Sequence, residues 1–129
     1  MEKSLVPPLT SGESNMKKYK FYDSIYFADV LLTVGKTDGV LAGSTEVETK
    51  QTKKGLQVRY HVHIDSEKDF YGLMHECVHL VKHIFIDRGV PFTAENDESI
   101  AYYMMYWFKT IWRRLGQSKN QFRDDPKMV

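Results

Sequence analysis

The chain has a single cysteine, Cys77, and so closes no disulfide of its own. A disulfide-stapled secreted scaffold is excluded, and a reducing compartment is the simpler expectation. An excess of charge of one sign is lacking too, since 18 Lys and Arg stand against 17 Asp and Glu for a formal net charge of +1. That balance provides no basic footprint for nucleic acid and no acidic surface for basic partners, so no nucleic-acid partner is expected. The longest apolar run, Ile100 to Phe108, covers about half of a membrane helix. The opening MEKSLVPPLTSGESN holds no apolar region of the length a secretory signal needs. These absences lead us to expect a soluble, uncleaved, cytoplasmic protein with no membrane contact. No repeat or low-complexity tract is present, which removes solenoids and propellers.

What is present is the make-up of one ordinary domain: 129 residues, 42% hydrophobic and 27% charged. Residues 1–18, with Pro7-Pro8 and scattered Ser, Gly, Glu and Lys, read as an N-terminal arm, and 116–129 as a C-terminal tail. The folded domain is expected over 19–115. Tyr19 to Val34 is dense in aromatic and β-branched residues and predicts one or two strands, closed by Gly35 and the turn-forming Thr37-Asp38-Gly39. Val40 to Glu48 reads as a further strand and Thr49 to Gly55 as a polar turn. Leu56 to Asp65 alternates cleanly, with Leu56, Val58, Tyr60, Val62 and Ile64 on one side and Gln57, Arg59, His61, His63 and Asp65 on the other. His61 and His63 face substrate only if this strand is an edge; otherwise they are its polar side.

Ser66 followed by Asp69 reads as a capping box, opening an amphipathic helix over 67–88 that closes at Arg88-Gly89 with Pro91 beyond. A second helix starts near Thr93 or Asn96 and runs over 95–115 to Gly116. The fold class is therefore α+β: a small antiparallel sheet of about three or four strands packed on two helices.

The first helix carries His75-Glu76-Cys77-Val78-His79. Residues four apart share a helix face, so the two imidazoles can take adjacent corners of a tetrahedral zinc with Glu76 angled toward a water. On a helical wheel, His75, Glu76, His79 and His83 cluster opposite the apolar arc of Phe70, Leu73, Met74, Cys77, Val78, Leu80, Val81, Ile84 and Phe85. Cys77 is expected to be a small buried hydrophobe. A metzincin would need His at position 85 and Gly at 82, where Phe85 and Lys82 stand, so that subclass is excluded. His83 is one turn too far to complete the same shell and reads as plain surface or, alternatively, as an outer or substrate-facing group. The expected third ligand is Glu98, which the second helix would bring back toward the histidines after a connection containing Gly89 and Pro91. Helix capping and dipole compensation explain Glu95 and Asp97.

With HECVH as the two-histidine motif and Glu98-Ser99-Ile100-Ala101 as a glutamate helix, the chain resembles the zincins of gluzincin type, and most of all the short zincin-like metallopeptidases encoded by tailed phages. The likeness spans about residues 56–112. It implies a Zn²⁺ held by His75, His79 and Glu98, peptide-bond hydrolysis with Glu76 as general base, and a peptide or protein substrate. It also implies substrate lying along the strand beside the active-site helix, expected here as Leu56 to Asp65. The oxyanion donor is open among Tyr102, Tyr103 and His83. The rival expectation is a non-catalytic zincin-fold structural or assembly protein, such as a phage virion component. It is motivated by a second helix with Tyr102, Tyr103, Tyr106, Trp107, Phe108 and Trp112 around its circumference, which predicts a protein partner or self-association through that helix and the terminal arms. On the phage reading, the location becomes the host cytoplasm or the virion.

Overall fold

The computed structural model describes residues 16–36 and 43–116. Most of both predicted polar ends, the predicted turn at Thr37-Asp38-Gly39 and the predicted strand start at Val40 lie outside the described residues. Four strands precede two helices: β1 (Lys17–Asp23), β2 (Ala28–Val34), β3 (Gly43–Thr52), β4 (Gly55–Ile64), α1 (Phe70–Asp87) and α2 (Asp97–Arg114), the last introduced by a 3-10 turn at Ala94–Asn96. The fold is α+β, as expected. Strand β1 takes in Lys17 and Lys18, which the sequence assigned to the arm.

The sheet is mixed and not antiparallel throughout. Its order is β1-β2-β4-β3, with β2 parallel to β4 and the other two pairs antiparallel. The cause lies at Ile64, which pairs with Val34 of β2 on one side and Gly43 of β3 on the other, while the Gly35 N–H donates to the Ile64 carbonyl at 3.1 Å. Strands β2 and β3 therefore run antiparallel with one strand width between them. Strand β4, returning through the tight turn at Lys53-Lys54, fills that gap antiparallel to β3 and so parallel to β2. Two further expectations are corrected here. The segment from Thr49 belongs to β3 as far as Thr52, because a strand with one side in water tolerates Lys and Gln that read as a turn. And β4, expected as the platform for strand addition, has both its sides hydrogen-bonded; in this sheet the strand beside α1 with a free side is β3.

Both helices cover one face. Alternation aims Ala28, Val30, Leu32 and Val34 of β2 and Tyr60, Val62 and Ile64 of β4 at them, all buried. They meet Leu73, Leu80, Val81, Ile84 and Phe85 of α1 and Tyr103, Trp107, Ile111 and Trp112 of α2, in one continuous core. Each fully buried aliphatic or aromatic side chain there contributes about 1.5–3 kcal/mol. The N-cap of α1 is Asp69, whose Oδ1 accepts from the Gly72 N–H at 2.9 Å. A side chain at Gly72 would strike that carboxylate, its Cβ falling 2.1 Å from Asp69 Oδ2. Ser66, the expected cap, instead accepts from the Lys68 N–H.

The helices are antiparallel neighbours. Phe70 packs edge-on against Phe108 and Trp112, and Phe85 stacks on Tyr103. The expectation that Tyr106 to Trp112 forms an outward contact surface is corrected in part: Trp107, Ile111 and Trp112 lie in the protein's own core, and the exposed large apolar side chains of α2 are Tyr102 and Met105. Among the described residues no helix is long and apolar enough to cross a membrane.

Candidate functional site

The HECVH segment lies mid-helix in α1, as its spacing predicts. One turn apart on the exposed side, His75 and His79 bring their Nε2 atoms to 3.3 Å, with ring centroids 4.9 Å apart and planes at 71°. Glu76 points elsewhere. It is 5% exposed, and its Oε1 accepts a 2.6 Å hydrogen bond from the Thr45 hydroxyl of β3. Strand β3 comes so close that a Cβ on Gly43 would lie 2.9 Å from Glu76 Oε2. The single polar face expected of α1 is therefore split. The helix packs on β3 and β4, which rotates its buried arc toward Glu76 and leaves Met74 and Val78, assigned to the apolar arc, exposed.

Between β3 and the start of α1 lies a pocket of about 250 Å³ lined by Gly43, Asp69, Gly72, His75 and Glu76. It joins one of the two imidazoles to a buried carboxylate. Tyr102, a candidate oxyanion donor, is 68% exposed and lines a separate cavity with Ile25, Tyr26, Ser99, Tyr103 and Tyr106. Tyr103 is buried, and its hydroxyl donates to Asp23. Burial first, and then that hydrogen bond, holds the Tyr103 hydroxyl far above the ordinary tyrosine range. His83 is half-buried.

Glu98 is exposed in the first turn of α2. The ring contacts that set the helix register place His75 and His79 level with the stretch around Met104 to Phe108. On that register Glu98 lies about 13 Å further along the axis, toward the C-terminal end of α1. Among the described residues no three His, Cys, Asp or Glu side chains form a group able to hold a metal. The structure brings the two histidines together and does not add Glu98 to them.

The Nε2–Nε2 contact is short enough for a hydrogen bond between the two rings, and its length is also that between two ligands of one zinc. Zinc–nitrogen bonds of about 2.0–2.1 Å at tetrahedral angles separate neighbouring nitrogens by about 3.3–3.4 Å, the spacing found here. Cys77 is buried beside Glu76, and burial pushes its thiol up to about 12, so it is neither nucleophile nor ligand in this arrangement. His61 and His63 lie on the sheet face turned away from the helices. His61 Nε2 meets Glu48 at 2.8 Å and His63 Nδ1 meets Thr33 at 2.8 Å. Thr45 and Gly43 escaped sequence reasoning because they meet Glu76 only through the order of the strands.

No family model, no curated protein and no solved structure matches this chain.

Proposed function

We propose that the chain is a zinc-dependent peptidase whose centre is built on the HECVH turn of α1. The observation that carries the reading is the 3.3 Å separation of the His75 and His79 Nε2 atoms, the bite of a tetrahedral zinc, next to a pocket holding the Glu76 carboxylate. His75 and His79 would hold the ion, and Glu98 is the carboxylate proposed for the third position, which it reaches only if α2 moves along α1. A bound zinc supplies Lewis acidity, polarising a scissile carbonyl and acidifying water. Glu76, anchored through one oxygen by Thr45, accepts a proton from water in the pocket and returns it to the leaving amine. Extended substrate lies along β3, whose outer side takes over the strand-addition role expected of β4.

The test compares wild type and Glu76→Gln, both zinc-loaded and purified without a His-tag, on a broad peptide pool. Wild type cleaves and Glu76→Gln does not, while both retain zinc by elemental analysis. Protein that takes up no zinc at neutral pH removes the reading, as does cleavage that survives the substitution. Glu98→Ala decides the third ligand: zinc affinity weakened about tenfold or more keeps it, and unchanged affinity assigns the position to another group.

A second reading, a non-catalytic structural or assembly protein of the kind found in a phage virion, is favoured by the burial of Glu76 against Thr45, where the carboxylate ties helix to strand. The exposure of Tyr22, Phe27 and Leu56 around a cavity that also takes in Arg88 favours it too. It predicts that Glu76→Gln leaves the biological outcome unchanged.

A further inference from the structure

Away from the histidines, the turn between β1 and β2 and the first half of α2 flank an open cavity of about 250 Å³ lined by Ile25, Tyr26, Ser99, Tyr102, Tyr103 and Tyr106. Four of these six residues are tyrosines. The Tyr103 and Tyr106 rings are parallel within 1°, and the Tyr26 ring meets Tyr103 at 77° with centroids 4.8 Å apart, so aromatic walls stand at nearly right angles. Asp23 does not itself line the cavity but is fully buried behind Tyr103 and the Ile25-Tyr26 backbone. Its carboxylate accepts from the Ile25 and Tyr26 N–H groups and from the Tyr103 hydroxyl, three neutral donors. Among the described residues Asp23 has no ion pair. None of the residues lining the cavity is Lys, Arg or His.

Burial first, and the Asp23 charge after it, hold the Tyr106 hydroxyl above its ordinary value. Aromatic faces are themselves negative through their quadrupole, so the ring walls and the Asp23 carboxylate behind them favour the same occupant, an organic cation. The size is below the roughly 300–1,000 Å³ of pockets for drug-sized ligands, which suits a single side chain. Ile25 and Tyr102 on the rim are 58% and 68% exposed, apolar surface that a bound chain would cover and a free small cation would leave in water.

We propose that this tyrosine cavity is a binding site for the alkylammonium group of a lysine side chain carried by a peptide or protein partner. The cation sits against the Tyr26, Tyr103 and Tyr106 rings, with the Asp23 carboxylate behind Tyr103, and the partner backbone crosses Ile25 and Tyr102. The site is independent of the HECVH centre and needs no metal.

The experiment is a nuclear magnetic resonance titration of the full chain with a capped Ala-Lys-Ala peptide, its norleucine counterpart, and tetramethylammonium chloride. The lysine peptide is expected to give saturable shifts confined to the signals of the lining residues, and to bind about twofold to fivefold more tightly than the neutral norleucine peptide. Tyr102→Ala, at an exposed position that tolerates truncation, should weaken the lysine peptide. Asp23→Asn, checked for folding by circular dichroism, should remove the preference over norleucine. Equal binding of both peptides overturns the cation assignment. Tetramethylammonium binding as tightly as the lysine peptide overturns the peptide assignment. Absence of saturable shifts, or shifts unaltered in Tyr102→Ala, overturns the site.

Discussion

The Thr45 hydroxyl donates to Glu76 Oε1 across 2.6 Å, joining strand β3 to the middle of the helix that carries the two histidines. Glu76 is 5% exposed, so this bond replaces water for one of its oxygens. Thr45→Val keeps the shape and removes the donor, leaving a buried acceptor unmet. We expect a loss of about 1–3 kcal/mol, seen as a lower urea midpoint with an unchanged slope.

Gly43→Ala tests the same junction by sterics. Its Cβ would fall 2.9 Å from Glu76 Oε2 and 3.0 Å from the His63 carbonyl, and that carbonyl belongs to the central strand and cannot swing aside. Overpacking of this kind costs about 1–3 kcal/mol. Gly55→Ala is a poor control because Gly55 has φ of +123°, whereas Ser44→Ala, on the other face of β3, should change the midpoint far less.

Tyr103→Phe deletes the hydroxyl that donates to the buried Asp23 carboxylate. A hydrogen bond to a charged group is worth about 1.5–3 kcal/mol, and the ring packing against Phe85 and Tyr26 is kept. Thermal unfolding should show the destabilisation, and Tyr102→Phe, at an exposed ring, should show none.

Glu67 sets one part of the pH dependence. Its carboxyl is held below its ordinary 4.5, first by the hydrogen bond from Lys17 and then by that from Tyr19. A depressed carboxyl contributes stability above its unfolded pKa and loses it as pH falls through the folded value. Lys17 is raised by the same contact, so its share is present below 10.5 and lost as pH rises beyond that. Glu67→Gln should flatten both limbs of the stability profile, the acid limb below 4.5 and the alkaline limb above 10.5. Chemical denaturation across pH measures both.

Cys77, with its thiol pushed up to about 12 by burial, should resist iodoacetamide in the native protein and react once the chain is unfolded in urea. Native-state labelling as fast as that of a free thiol would contradict its burial against the sheet.

Local pattern determined a good deal of this protein. The alternation of Leu56 to Asp65 and the spacing of HECVH identified a strand followed by a helix and placed both histidines on one turn, because periods of 2 and 3.6 are properties of a single element. The burial of Cys77 was legible for the same reason. Tertiary structure alone decided the rest. Whether β4 lies at an edge or in the centre depends on the path from Val34 to Gly43, which no alternation within a strand encodes. The wheel gave the angles between side chains of α1 but not the angle at which α1 meets the sheet, so Glu76 was placed with the histidines on one polar face and is instead buried against Thr45. The distance of Glu98 from the histidines was likewise set by Phe70 packing on Phe108 and Trp112. Periodicity specifies the phase of residues within an element, whereas the axial register and rotation of one element on another follow from side chains far apart in the chain.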